Sequence, residues 1–189
     1  MEHLQDYQEL LATTGVEWGL IGPREVDRLW ERHIDNCLAV TEDRDCLPES
    51  ATVLDVGSGA GLPGLVWAIA RPDLQVTLLE PLERRVRFLE LAAHDLDNVH
   101  IVRGRAQEMT HQFARVTARA VAKTSTLLPW LAPLVEPDGR MVLMKGERAS
   151  SEVAQAQRWL DAHRWRAEVE TVGSPPRTRV VVVERVAKG

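Results

Sequence analysis

Residues 52–64, T-V-L-D-V-G-S-G-A-G-L-P-G, form a short apolar run that passes directly into four glycines within eight residues. Thr, Val and Leu favour extended backbone, so residues 52–56 are predicted to form a strand with Asp55 near its carboxyl end. Glycine adopts positive φ without steric cost and lets a ligand approach the backbone closely. Pro63 suits the first turn of a helix. The stretch therefore predicts a strand, a glycine turn and a helix N-terminus, which is the layout of a nucleotide pocket.

Two classes of nucleotide-binding protein share this layout. Gly59, Gly61 and Gly64 satisfy the dinucleotide fingerprint G-x-G-x-x-G, a pattern that is weakly specific on its own. A strand that ends in Asp-x-Gly-x-Gly-x-Gly resembles instead motif I of the class I S-adenosylmethionine-dependent methyltransferases. A turn that binds no ligand is disfavoured, because each glycine costs backbone entropy. The candidate cofactor-binding residues of this turn are Asp55, Gly57, Ser58, Gly59 and Gly61.

A second acid follows the glycine turn at the end of the next predicted strand, residues 76–79. In adenosine-binding α/β units, an acid about 20 residues after the turn accepts hydrogen bonds from the ribose hydroxyls. If the two strands are parallel neighbours, Glu80 and the adjoining Pro81 lie beside the turn. A simpler interpretation is that Glu80 is only a favourable acid at a helix N-terminus.

The length of 189 residues and a hydrophobic content of 44% predict one globular domain, with a helical cap over residues 1–47 and an α/β core over residues 48–189. The chain starts with polar residues, and no apolar run reaches the roughly 18 residues of a membrane span. We therefore expect a cytoplasmic protein, a monomer without membrane association. Cys37 and Cys46 lack metal-ligand spacing, which predicts buried free thiols and no metal site.

Charge is distributed unevenly along the chain. The net charge is -5, which argues against non-specific coating of nucleic acid. Residues 1–83 hold 5 Lys and Arg against 16 Asp and Glu, whereas residues 84–189 hold 18 against 12. An anionic substrate should therefore meet the second half. The cations that we expect to contact such a substrate at the carboxyl edge of the sheet are Arg84, Arg85, Arg105, Arg119, Lys145 and Arg148.

The remaining elements are predicted from periodicity and turn residues. Helices are expected over residues 2–13, about 23–40, 127–135 and 149–163, with breaks at Gly15, Gly19 and Gly22-Pro23. Further strands are expected over residues 99–102, 116–121, 141–144, 164–172 and 177–183, with turns at residues 137–139 and 173–176. His33 could face the ligand, although a lone histidine beside apolar neighbours is more often a satisfied core residue. Arg119 interrupts an apolar strand, so it needs a partner or a function.

Several stretches together resemble one family, the glucose-inhibited division protein B family of small-subunit ribosomal RNA guanine-N7 methyltransferases. The resemblance covers most of the chain. It rests on R-H-I-D-N-C-L (32–38), D-V-G-S-G-A-G-L-P-G (55–64), E-P-L-E-R-R-V-R-F-L (80–89), G-R-A-Q-E (104–108), V-T-A-R-A-V-A (116–122) and M-K-G-E (144–147). The sequence departs from the family pattern at Leu62, at Gln107, at Asn36-Cys37 and at Ala114-Arg115.

This resemblance implies a Rossmann-like α/β fold: a mostly parallel seven-stranded sheet with an antiparallel last strand and helices on both faces. It implies methylation of guanine N7 in the 530 loop of 16S rRNA, or of the small ribosomal subunit, with S-adenosyl-L-methionine as cofactor and S-adenosyl-L-homocysteine as product. The implied cofactor contacts are Gly57, Leu62, Ala106, Gln107 and Arg119, and Arg105 is expected beside them. The implied contacts to RNA include Arg105, Arg119 and Lys145, and His33 is added as a candidate.

Three other functions remain open at this point. They are another specificity of class I methyltransferase, a nicotinamide-dependent oxidoreductase, and a non-enzymatic ribosome-binding protein. The oxidoreductase is disfavoured because no Tyr-x-x-x-Lys dyad or substrate domain follows the nucleotide half. The residues also predict the mechanism of methyl transfer. Amino-methylating enzymes carry an Asp/Asn-Pro-Pro-aromatic clamp, whereas Ser174-Pro175-Pro176-Arg177 lies in the predicted late hairpin turn, and both cysteines precede the first strand. We therefore expect direct in-line transfer without a general base, with Arg119 and Lys145 only orienting the base.

Overall fold

A computed structural model describes residues 2–175 and 177–187. In these ranges seven strands form one sheet with the order β3-β2-β1-β4-β5-β7-β6. The strands are β1 Thr52–Val56, β2 Gln75–Glu80, β3 Val99–Arg103, β4 Phe113–Thr117, β5 Val135–Met144, β6 Trp165–Val172 and β7 Thr178–Arg185. Only β7 runs antiparallel to its neighbours β5 and β6. The predicted mixed sheet with an antiparallel last strand is confirmed.

The α-helices cover both faces of this sheet. They are α1 Glu2–Leu10, α2 Asp35–Thr41, α3 Gly64–Ala70, α4 Glu83–Ala92, α5 Thr124–Leu131 and α6 Ala149–His163. One buried layer joins α1, α2, α3 and α4 to the sheet and is centred on Leu65, Trp67 and Phe88. The other joins α5 and α6 to the opposite face around Leu127 and Leu160. Over residues 2–175 and 177–187, none of the helices has the length and apolar character needed to cross a membrane.

The strand order reverses between β1 and β4. The chain runs outward from β1 through β2 to β3, and then returns to place β4 on the other side of β1. In parallel α/β sheets, ligands bind outside the carboxyl ends of the strands at such a reversal. The glycine turn follows β1, and the segment that carries Arg119 follows β4. The topology therefore brings these two predicted segments to one crevice.

The N-terminal helices pack directly on the core. After α1 the backbone stays helical through a π-helical turn at Leu11–Gly15, so the predicted break at Gly15 was wrong and the chain instead turns at Gly19, where φ is 65°. The predicted helix over residues 23–40 consists of a 3₁₀ segment Pro23–Arg28, a π-helical segment Trp30–Ile34 and α2. The indole Nε1 of Trp67 donates to the carbonyl of Cys37 at 2.9 Å. This bond fixes α2 to α3.

Several boundaries differ from the predictions. The helix predicted over residues 127–135 begins at Thr124 and ends at Leu131, and Val135 already starts β5. β4 ends at Thr117, whereas a strand over residues 116–121 was predicted, because Ala120 has a φ of 57° and cannot continue an extended strand. The predicted turn at residues 137–139 lies inside β5, where the register against β4 shifts. A Cβ on Gly139 would lie 2.9 Å from the carbonyl oxygen of Ala114, so glycine is needed for this bulge. The turn after β6 was predicted over residues 173–176, of which Pro176 lies outside the described residues.

Arg115, one of the departures from the family pattern, connects β4 to the loop before β1. Its guanidinium donates to the carbonyls of Cys46 at 2.8 Å, Asp45 at 3.0 Å and Ala114 at 2.8 Å. Burial lowers the pKa of Arg115, and the three carbonyls satisfy the buried guanidinium donors. The cation thus has a structural role at the amino end of the sheet, away from the crevice.

Candidate functional site

The glycine turn and the ends of β2 and β4 enclose a cleft of about 550 Å³, which we call the glycine cleft. Its lining residues are Leu20, Ile21, His33, Gly57, Ser58, Gly59, Ala60, Leu62, Glu80, Pro81, Leu82, Arg85, Arg119, Ala120 and Val121. The volume is in the range of small-molecule and cofactor sites. Seven of the predicted cofactor-binding residues therefore meet in one cleft.

The backbone of the turn is packed too closely for side chains. At Gly57 φ is 70°, and a Cβ would lie 2.7 Å from Cγ2 of Val121. At Gly61 φ is 101°, and a Cβ would lie 3.0 Å from the hydroxyl oxygen of Tyr7. This hydroxyl donates to the carbonyl of Ala60 at 2.7 Å. The N-terminal helix α1 therefore supports the turn from behind.

Asp55 lies beneath the turn and outside the lining of the cleft. Its side chain is fully buried, and Oδ2 accepts the backbone N–H of Gly64 at 3.0 Å. The second oxygen, Oδ1, has no hydrogen-bond partner among the described residues. Burial raises the pKa of Asp55 to about 7, although the bond from Gly64 opposes the rise. The carboxyl group therefore fixes the start of α3 and retains one unused acceptor.

Glu80 is the buried acid of the cleft, and only 1% of its surface is exposed. Oε2 accepts the backbone N–H of Gly59 at 2.9 Å, and Oε1 accepts that of Leu82 at 3.0 Å. Nη1 of Arg85 lies 3.7 Å from Oε2. Each carboxylate oxygen has two lone pairs, so both can accept a further hydrogen bond. Glu80 therefore braces the glycine turn and can still bind a hydroxyl group.

The loop after β3 carries three further predicted residues. Ala106 is buried, whereas Arg105 and Gln107 are exposed, and none of the three lines the glycine cleft. The backbone N–H of Gly104 donates to the carbonyl of Glu80 at 3.3 Å, which places this loop beside the buried acid. Arg105, Ala106 and Gln107 thus flank the cleft, and Asp55 and Gly61 support it from below.

A second cleft of about 750 Å³ adjoins the first, and we call it the lysine cleft. Its lining residues are Asn36, Arg119, Ala120, Val121, Ala122, Lys123, Met144, Lys145, Gly146, Glu147, Arg148, Glu152 and Thr178. The two clefts share Arg119, Ala120 and Val121, the residues by which the chain leaves the sheet after β4. A ligand in one cleft can therefore approach a ligand in the other over this short segment.

The cations of the lysine cleft differ in their exposure and in their bonds to neighbouring groups. Lys145 is 9% exposed, and its Nζ lies 2.9 Å from Oε2 of Glu152 and 2.9 Å from the carbonyl of Ala122. Lys123 and Arg148 are exposed at the rim. Lys123 was not predicted as a site residue, because no sequence pattern indicates which lysine will line a cleft.

The other predicted RNA contacts lie elsewhere. Arg85 lines the glycine cleft, and Arg84 is exposed on the first turn of α4 outside both linings. Together with Arg105 they extend the carboxyl edge of the sheet on the side of β2 and β3.

Arg119 lies at the junction of the two clefts, and residues of the N-terminal helices contact its guanidinium. Its Nη2 lies 2.7 Å from Nδ1 of His33, and its Nη1 donates to Sγ of Cys37 at 3.4 Å. Nε2 of His33 lies 3.1 Å from Oε2 of Glu25. Burial, with Arg119 as the next cause, lowers the pKa of His33. The backbone of Arg119 pairs with Met144. Glu25 and Cys37 were not predicted at this site.

Comparison with known proteins shows the family to which this chain belongs. The model of the GidB family, described as rRNA small subunit methyltransferase G, matches residues 1–178. The chain belongs to this family. It is 50% identical over 190 residues to ribosomal RNA small subunit methyltransferase G of Kineococcus radiotolerans, with 97% of this chain and 73% of the relative covered. It is 51% identical over 187 residues to the protein of that name from Thermobifida fusca, with 95% and 78% covered.

Solved structures share the fold at low sequence identity. The ribosomal protein L11 methylase of Lactobacillus delbrueckii subsp. bulgaricus superposes with a TM-score of 0.65 at 14% identity, over 82% of this chain and 80% of that chain. TYW2 of M. jannaschii, solved in complex with AdoMet, gives 0.62 at 17% identity over 84% and 78%. The predicted family and the predicted class I methyltransferase fold are both confirmed, and the oxidoreductase interpretation is abandoned.

Five of the six family motifs supply residues that line the two clefts, G-R-A-Q-E lies beside the glycine cleft, and the two cysteines lie outside both linings. R-H-I-D-N-C-L supplies His33, and V-T-A-R-A-V-A supplies the shared segment around Arg119. Cys37 and Cys46 are buried free thiols, as predicted. Burial raises the pKa of each thiol to about 12. A protonated thiol is a poor nucleophile and a poor metal ligand, so neither cysteine is suited to covalent catalysis.

Proposed function

We propose that this methyltransferase transfers the methyl group of S-adenosyl-L-methionine to guanine N7 in the 530 loop of 16S rRNA and releases S-adenosyl-L-homocysteine. The observation that carries the proposal is the meeting of two clefts at Arg119, Ala120 and Val121, one beside a glycine turn and a buried acid, the other with a basic rim. The relatives of the chain are named for methylation of small-subunit rRNA.

The same proposal covers the organisation of the protein. Residues 1–189 act as a single methyltransferase domain in which residues 1–47 form a cap and residues 48–189 form the cofactor-binding core. The cap helices share one buried layer with α3 and α4, which supports a single folding unit. We expect a cytoplasmic monomer that needs no metal and finds its substrate on 16S rRNA or on the small ribosomal subunit.

The residues of the glycine cleft fit this cofactor. Glu80 offers both carboxylate oxygens to the two ribose hydroxyls, and the backbone of the turn is bare enough for close approach. Asp55 supports the turn from below through its hydrogen bond from the backbone N–H of Gly64. The bound cofactor supplies an electrophilic methyl group, and the positive charge of its sulfonium favours the ionised form of a nearby carboxyl group.

The lysine cleft fits a guanine base and its phosphates. Guanine presents O6 and N7 as acceptors on one edge, and Arg and Lys are the side chains that pair with this edge in nucleic acids. Arg119 lies where the clefts meet, and Lys145 lies along the same wall. The exposed Lys123 and Arg148 are placed to contact phosphates at the rim. Arg119 and Lys145 thus orient the base by donating to O6 or to a phosphate, which leaves N7 free to meet the methyl group at the shared segment.

The proposal is tested with small ribosomal subunits from a strain that lacks this methyltransferase. The purified protein and radiolabelled S-adenosyl-L-methionine should transfer one methyl group per subunit, and nuclease mapping should place it on N7 of a guanine in the 530 loop. Naked 16S rRNA serves as the comparison substrate. A methyl group on another base would assign another specificity. Cofactor binding without any transfer would favour a ribosome-binding protein.

Methyl transfer is expected to need no general base. Guanine N7 already carries a free lone pair, so no proton has to leave before attack. Both ring nitrogens of His33 are engaged, by Arg119 and by Glu25, and the buried Asp55 does not line either cleft. Positioning of N7 in line with the methyl group and sulfur can supply roughly 7 to 11 kcal/mol.

Single-turnover rates at saturating cofactor and RNA should therefore stay nearly level from about pH 6 to 9. The measurement is rapid-quench methyl transfer at several pH values. A rate that rises tenfold per pH unit over this range, and that loses the rise when one carboxylate or His33 is replaced, would reveal a base and contradict the mechanism.

A further inference from the structure

A chain of three polar side chains connects the cap to the junction of the clefts. Glu25 lies in the 3₁₀ segment Pro23–Arg28, and His33 lies one segment further on. Oε2 of Glu25 is 3.1 Å from Nε2 of His33, and Nδ1 of His33 is 2.7 Å from Nη2 of Arg119. His33 lines the glycine cleft with Arg119. This imidazole ring therefore links Glu25 of the cap to Arg119.

The geometry determines which nitrogen of the imidazole carries the proton. A guanidinium can only donate hydrogen bonds, so Nδ1 of His33 must accept from Arg119. Nε2 then carries the proton and donates a hydrogen bond to the carboxylate of Glu25. Arg32 also donates to Glu25, from Nη1 to Oε1 at 3.0 Å, which holds the carboxylate in place. The contacts are self-consistent only for the neutral Nε2–H tautomer.

We propose that Glu25 and His33 are positioning residues, which hold the guanidinium of Arg119 at the junction of the two clefts. The inference rests on the proposed function, because Arg119 acts there on the cofactor and on the base. Cys37 accepts from Nη1 of Arg119 at 3.4 Å, but sulfur is a weak acceptor. The imidazole is thus the one strong side-chain acceptor that the described residues offer to this guanidinium.

The charges around His33 predict how the arrangement responds to pH. The facing groups are Glu25, Arg32 and Arg119, and burial together with Arg119 lowers the pKa of His33 below its usual 6.5. A protonated ring would donate from Nδ1 and repel Arg119. The sign is therefore definite: the neutral ring holds Arg119 above pH 6.5, and it releases Arg119 only as the pH falls through the lowered pKa of His33.

Two substitutions separate the hydrogen bond from simple packing. Asn at position 33 places an amide oxygen near the position of Nδ1, whereas Gln extends its amide to the position of Nε2. We expect His33→Asn to keep the affinity for S-adenosyl-L-homocysteine within about threefold at pH 7.5, and His33→Gln to lose about tenfold, or about 1.4 kcal/mol. Titration calorimetry measures both. His111→Asn, at an exposed histidine outside both clefts, is the matched control.

The same titrations at a series of pH values from 7.5 downwards test the role of the proton. The wild type should lose affinity as the pH falls through the lowered pKa of His33, and His33→Asn should lose less over the same range. Titration of the ligand itself affects both proteins equally. Equal losses in the two proteins, or a tenfold loss in His33→Asn at pH 7.5, would overturn the proposal. A wild type that binds no cofactor at pH 7.5 would instead overturn the proposed function.

Nitrogen-15 NMR of the wild-type imidazole rings gives a test that needs no variant. His33 should show the neutral Nε2–H tautomer at pH 7.5 and should gain its second proton only below pH 6.5. The signal is assigned by its loss in His33→Asn. An Nδ1–H tautomer, or a ring that is already protonated at pH 7.5, would contradict the hydrogen bond from Arg119.

Discussion

Glu80→Ala is expected to weaken binding of S-adenosyl-L-methionine by about ten- to a hundredfold. The charge-assisted pairing of the carboxylate with the ribose hydroxyls is expected to contribute roughly 1.5 to 3 kcal/mol in total, and tenfold in affinity corresponds to about 1.4 kcal/mol. The substitution also removes the acceptor of the Gly59 N–H, so the turn loses its brace at the same time. Titration calorimetry of the folded variant at neutral pH measures the loss.

Glu83→Ala is the matched control for this experiment. Glu83 lies three residues further on, at the start of α4, and pairs on the surface with Arg87 and Arg103 outside the glycine cleft. Glu83→Ala removes the same charge as Glu80→Ala, but it removes no hydrogen-bond acceptor from the glycine cleft. Glu80→Gln should lie between the two, because the amide keeps one accepting oxygen. An affinity of Glu80→Ala equal to that of the wild type would exclude Glu80 as the ribose ligand.

Sequence reasoning succeeded where a signal is local. β1, the glycine turn and the buried acid at the end of β2 are each encoded by neighbouring residues, and parallel pairing of β1 with β2 brings Glu80 to Gly59. Helix α6 also matches its prediction over residues 149–163, because helical periodicity runs unbroken through it. These elements were enough to predict the fold class and the position of the glycine cleft.

The rest of the site depends on contacts between distant segments. His33 and Arg119 are 86 residues apart, and no pattern in either segment indicates that they meet. Lys145 was predicted as an RNA contact, but its pairing with Glu152 depends on where α6 lies relative to the end of β5. The end of β4 was placed too late because the residues on both sides of Arg119 are apolar or small, and only the left-handed backbone of Ala120 turns the chain out of the sheet.

RNA binding should lose salt dependence when the rim of the lysine cleft is neutralised. Lys123 and Arg148 are exposed on this rim. Each contact to a single-stranded phosphate contributes about 0.7 to the slope of log affinity against log salt, so Lys123→Ala with Arg148→Ala should flatten the slope by about 1.4. At 0.1 M salt, relative to 1 M, this amounts to about a 25-fold loss of affinity. Fluorescence anisotropy with a labelled 530-loop RNA over a salt series measures both quantities.

The control for the rim is a second double variant, Arg44→Ala with Arg158→Ala, which removes two exposed cations that line neither cleft. It changes the net charge by the same amount, so a general field effect would weaken RNA binding equally in both double variants. Local phosphate contacts would leave the control slope at its wild-type value. Cofactor affinity should be unchanged in both, because neither pair lines the glycine cleft. If the rim variant keeps the wild-type slope and affinity, RNA docks on another face, and the exposed Arg84 and Arg105 beside β2 and β3 become the next pair to neutralise.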